Sequence, residues 1–110
     1  MTITVYHVPD DLTRDIWMTR GPEHLAMVRE HFPSYKAVAK VQASDLDDAY
    51  RLTNTIDGPW WENRGVEFLG SAEHGMDGCR STSIGDVLEL DGRKYIVAPM
   101  GFTDFDAEAK

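Results

Sequence analysis

The chain predicts a single α+β domain: a small mixed or antiparallel sheet with two or three helices on one face and a C-terminal β-hairpin. Three observations point there. Residues 2–8 and 35–43 alternate at the two-residue period of strands. Leu25, Val28 and Phe32, and later Leu46, Ala49 and Tyr50, recur at helical spacings of three and four. Finally, residues 86–90 and 93–97 flank Asp91-Gly92, a two-residue loop suited to a type I′ hairpin turn. The 110 residues fit one domain, and a hydrophobic share of 42% supplies a modest core.

Each element has its own justification. In the first strand Ile3, Val5 and His7 share one face, Thr4, Tyr6 and Val8 the other, and Pro9 ends it. Asp10 or Asp11 is placed to cap a short helical turn with Leu12 and Ile16 on one side. Gly21-Pro22 opens the next helix, because proline is tolerated in a first turn where its missing N–H has no partner to lose. Pro33 stops it. In the second strand Tyr35, Ala37, Ala39 and Val41 point one way, and Lys36, Lys40 and Gln42 the other. Ser44, with Asp47 three residues on, reads as the cap of a helix ending near Thr53-Asn54. Asp57-Gly58-Pro59 is turn chemistry, and 66–69 reads as a short strand. In the hairpin, Glu89 faces Lys94, Leu88 faces Tyr95 and Val87 faces Ile96. The stretch 104–110 reads as a frayed tail.

Charge and composition set expectations about partners. Nineteen acids against eleven bases give a net charge of −8, which repels phosphate backbones, so direct nucleic-acid binding is not expected. An acidic DNA mimic is the converse reading, but the acids are dispersed, with Asp45, Asp47 and Asp48 the densest group. Excess acid that keeps a small domain soluble explains them more simply. No apolar run approaches the roughly 20 residues of a membrane span. The single cysteine, Cys79, offers no disulfide framework, and residues 1–5 carry no secretion pattern. A cytoplasmic protein follows as the expectation.

Two segments carry the candidate site. The first joins Asn54 to Trp60, Trp61, Asn63 and Arg64. Two adjacent tryptophans do not readily bury in the same direction, which leaves one available to a partner, and Trp and Arg are favoured interface anchors. Alternatively both lid the core while Asn54 caps a helix end. The second segment is Arg80, Ser81, Thr82, Ser83 and Asp86, a hydroxyl-rich turn able to present backbone amides to an anion. Its simpler reading is a tight turn whose hydroxyls satisfy local backbone groups. His7, His24, His31 and His74 lack metal-ligand spacing, and Cys79, Ser81 and Ser83 sit in no nucleophile motif. No enzyme, cofactor or metal is expected from these residues.

Tyr35, Ala39-Lys40-Val41, Asp45-Leu46, Ala49-Tyr50, Thr53-Asn54, Trp60-Trp61-Glu62-Asn63 and Arg80 to Val87, followed by Gly101-Phe102, form a composite pattern across about residues 35–102. It resembles small proteins encoded by actinobacteriophages and related mobile elements. The Ser81-x-Ser83-x-Gly85-Asp86-Val87 to Gly101-Phe102 part is similar to the YodL-type domain of mobile-element proteins. The resemblance brings no catalytic residues. It implies a phage accessory gene that acts on a bacterial host protein or defence system. The loop tryptophan pair, on a chain with no catalytic signature, adds the expectation that such a protein binds its host partner in the cytoplasm through Asn54, Trp60, Trp61, Asn63 and Arg64, with Arg80, Ser81, Ser83 and Asp86 nearby. A small-molecule or nucleotide pocket built from the same two segments is the alternative. An exposed edge strand also offers a route to a homodimer.

Overall fold

A computed structural model describes residues 1–54, 60–69, 81–99 and 101–106. In chain order they form β1 (Thr2–His7), α1 (Asp10–Trp17), α2 (Gly21–His31), a 3-10 turn (Phe32–Ser34), β2 (Lys36–Gln42), α3 (Leu46–Leu52), a second 3-10 turn (Trp60–Glu62), β3 (Val66–Phe68), β4 (Val87–Leu90), β5 (Arg93–Val97) and β6 (Phe102–Asp104). The six strands make one sheet in the order β3-β2-β1-β4-β5-β6, and every neighbouring pair is antiparallel. The fold is α+β.

The hairpin forms in the expected register, Val87 opposite Ile96, Leu88 opposite Tyr95 and Glu89 opposite Lys94. Its turn has φ +52° at Asp91 and +82° at Gly92, the two positive values a type I′ turn requires. It is not the last pairing, since β6 returns along β5. The tail is therefore corrected at its start. Asp104 belongs to β6, and Phe105 packs edge-on against Phe32 with ring centres 5.2 Å apart. Residues 107–110 lie outside the described residues, as does the Asp57-Gly58-Pro59 turn.

The helices divide between the two faces of the sheet, which corrects the expectation of a one-sided arrangement. Successive strand residues point to opposite faces. Ile3, Val5, Ala39, Val41, Leu88 and Val97 pack with Ala49 of α3 and with Trp60. Val87 and Ile96, one step out of phase with Leu88 and Val97, pack with Val8, Ile16 of α1 and Leu25 and Val28 of α2. The described residues thus form two small apolar cores separated by their own sheet.

Three local expectations shift by a residue. A bulge between Val5 and Tyr6 offsets the β1–β2 ladder, and Val38 is buried as well as Ala39 and Val41. Asp45, not Ser44, caps α3: its carboxylate accepts the Asp48 N–H at 2.8 Å. The Asp48 carboxylate in turn accepts the Ser44 N–H at 3.0 Å. That backbone bond, followed by the one from Arg51, holds the Asp48 carboxyl below its ordinary pKa. Neither Asp10 nor Asp11 caps α1, whose N-cap is Pro9. Among the described residues, no helix is long and apolar enough to cross a membrane.

Candidate functional site

The turn before β4 organises a buried polar cluster. Asp86 is fully buried, and its carboxylate accepts the Val8 N–H at 2.9 Å and the Ser83 N–H at 2.7 Å. The Asp86 N–H in turn donates to the Ser83 carbonyl at 3.0 Å. These bonds close the turn on itself and tie it to the end of β1. Gly85 sits between them with φ +93°, and a Cβ there would lie 2.5 Å from Cγ2 of the buried Ile16. Its carbonyl accepts the Tyr35 hydroxyl at 2.8 Å. Gly85→Ala is expected to cost about 1–3 kcal/mol through left-handed strain and overpacking, read as a lowered urea midpoint.

His7 continues the Ile3–Val5 alternation into this cluster. Its Nε2 shares a 2.9 Å hydrogen bond with the Thr82 hydroxyl and lies 3.8 Å from Asp86 Oδ2, and its ring stands 5.9 Å from that of Trp60. Thr82 binds the first segment as well. Its N–H donates to the Thr53 carbonyl at 2.9 Å, and its carbonyl accepts the Asn54 amide at 2.6 Å. Asn54 also donates to the Tyr50 hydroxyl at 2.9 Å. The two candidate segments therefore meet, with His7 and Thr82 as the join.

A histidine between a hydroxyl and a carboxylate invites comparison with a hydrolytic triad, and the geometry speaks against it. In a relay the imidazole uses one nitrogen for the nucleophile and the other for the carboxylate. Here Thr82 and Asp86 both face Nε2, and His7, Thr82 and Asp86 are all at most 5% exposed. No substrate reaches that hydroxyl. The cluster is a structural clamp between β1, the loop after α3 and the turn before β4.

The other residues of the two segments lie around this clamp. Trp60 is 1% exposed and belongs to the core, which removes it from the contact surface expected from the sequence. Trp61 is half-buried, edge-on to Trp60 at 5.9 Å and 84°, and 5.9 Å from Phe68. Asn63 spends its amide internally, donating to the Leu52 carbonyl at 2.7 Å, while its carbonyl accepts the Val66 N–H. Arg64 is exposed, and Ser81 and Ser83 are partly so. Arg80 lies outside the described residues, as do His74, Asp77 and Cys79.

Comparison with known proteins adds no relative. The chain matches no protein-family model, no curated protein and no solved structure.

His7 joins the site without being one of the residues the sequence singles out for it. Its place in the apolar alternation of β1 is the available signal, while its pairing with Thr82, 75 positions away, leaves none. Leu69, 39% exposed just after β3, reads from the sequence as the end of that strand. Among the described residues, no group of three or more His, Cys, Asp or Glu side chains is arranged to hold a metal ion.

Proposed function

We propose that the protein is a non-enzymatic accessory protein, of phage or mobile-element type, that binds a bacterial host protein through the surface around Trp61 and Arg64. One observation carries this reading: Trp61 is braced edge-on by the buried Trp60 and flanked by Phe68, so a half-buried indole is presented with little freedom left to lose on binding. Arg64 stands exposed three residues on. Leu69 adds apolar surface at the same edge of the sheet, where β3 has β2 as its one neighbouring strand among the described residues. Asn54, Ser81 and Ser83 are each partly exposed and offer polar groups for the rim of such an interface.

The test is affinity purification of the tagged protein from an actinobacterial lysate, alongside Trp61→Ala and Arg64→Glu. Both positions lie outside the fully buried core, so folded variants are expected. A host protein held by the wild type should be lost with Trp61→Ala and weakened at least tenfold with Arg64→Glu, measured by titration of the purified pair. Unchanged affinity in both folded variants would rule this surface out. The meeting of Asn54 with Thr82 favours a second reading, a small planar ligand seated where the two segments join. A nucleotide thermal-shift screen separates the two, since a ligand at one hundred times its dissociation constant adds about 2.7 kcal/mol of stability.

A further inference from the structure

His24 is the one buried side chain among the described residues whose polar atom, Nε2, has no hydrogen-bond partner. It is 6% exposed and sits one turn into α2. Nε2 lies 3.7 Å from the position a Cβ would take on Gly85, a point also approached by Ile16 of α1 and by Val8 just after β1. The ring therefore occupies the junction where α1, α2, the end of β1 and the turn before β4 converge. It belongs to the α1–α2 side of the sheet, whose core is separate from the one built around Trp60.

We propose that His24 makes the α1–α2 layer an acid-released cover of the sheet: protonating its ring undocks α1 and α2 while the opposite core, with α3 and Trp60, stays packed. The neutral ring tolerates an apolar junction. An imidazolium there brings a buried N–H with no acceptor and a charge with no counter-ion, both of which favour the opened state. The charged neighbours give no relief. On the α2 side, Arg20 is of the same sign as an imidazolium, its guanidinium held by the Trp17 and Thr19 carbonyls, and Glu23 is exposed. From α1, Arg14 and Asp15 are exposed, and from the β4 turn Asp86 is engaged with the Val8 and Ser83 amides. Burial, and then Arg20, hold the His24 pKa below its ordinary value. The proton thus binds the opened state more strongly. The stability that the neutral ring lends the cover is fully present above the ordinary imidazole value of about 6.5 and declines as pH falls below it.

Hydrogen–deuterium exchange of the whole chain at pH 7.5 and 5.5, corrected for intrinsic exchange, tests this. Amides of α1 and α2 should lose up to about tenfold protection at the lower pH, the factor set by one proton taken up near pH 6.5 on opening, while β2 and α3 hold theirs. His24→Leu should abolish the acid-dependent loss. Equal loss throughout the chain, no loss in α1 and α2, or the same loss in a folded His24→Leu would each overturn the proposal. Should that variant fail to fold, the histidine ring signals of the unmodified protein decide. A His24 ring that titrates only as α1 and α2 open upholds the switch, and one that titrates near 6.5 with protection unchanged refutes it.

Discussion

Trp60→Ala is expected to destabilise the domain by about 3–5 kcal/mol, the range for truncating a fully buried aromatic. The indole is 1% exposed and stands edge-on to both Trp61 and Phe68, with ring centres 5.9 and 5.7 Å away. It also closes over His7. Removing it opens a void beside β3, an edge strand of three residues among those described. Against the roughly 5–15 kcal/mol typical of small domains, such a loss is a large share of the total. Urea unfolding followed by circular dichroism measures it. A loss under about 1 kcal/mol would mean that the Trp60 ring does not anchor its core. For the same reason a Trp60/Trp61 double replacement confounds binding with folding, and Trp61→Ala alone separates them.

Asp86→Ala is expected to cost a comparable amount, about 2–5 kcal/mol, by a different route. Its carboxylate is the acceptor for the Val8 and Ser83 amides, and stranding a buried donor costs about 1–3 kcal/mol each. Asp86→Asn keeps one carbonyl oxygen of similar shape and should recover part of the loss. Urea midpoints ordered wild type, then Asn, then Ala would bear this out. An alanine variant as stable as wild type would show that the turn holds without its carboxylate. Thr82→Val offers no such contrast, because it removes one hydroxyl beside a histidine that has other neighbours.

The parts of this fold legible in the sequence are those whose information is local. Asp91-Gly92 dictates its hairpin because a two-residue loop with two positive φ values leaves one register open. Gly21-Pro22 and the Leu25–Val28 spacing mark α2 because a first turn and an apolar stripe are properties of neighbouring residues. The face each helix covers is not local. It depends on whether Val87 or Leu88 meets α2, and either is apolar enough for both. The bulge at Val5/Tyr6 has no glycine or proline to announce it, so strict alternation does not predict the burial of Val38 next to Ala39. At the site, the sequence shows that two adjacent tryptophans must part, but not which turns inward. Asp86 reads as one more acid in a polar turn until Val8, 78 positions away, supplies the amide it accepts.

The strand order carries a consequence for how the chain assembles. β4, β5 and β6 form a meander of near neighbours, each joined to the next by a short turn, and β1, β2 and β3 form another across longer connections. Among the described residues, the two meanders pair strand to strand along β1 and β4, where Ile3 to Tyr6 run against Val87 to Leu90. Both apolar cores draw residues from each side of that seam, so neither can be completed before it zips. Loop closure over so long a stretch is the slow entropic step, and local hairpins precede it. The Asp86–Val8 bond sits at the end of the seam like a latch: the ladder that closes the longest loop is also the one bolted by a buried carboxylate.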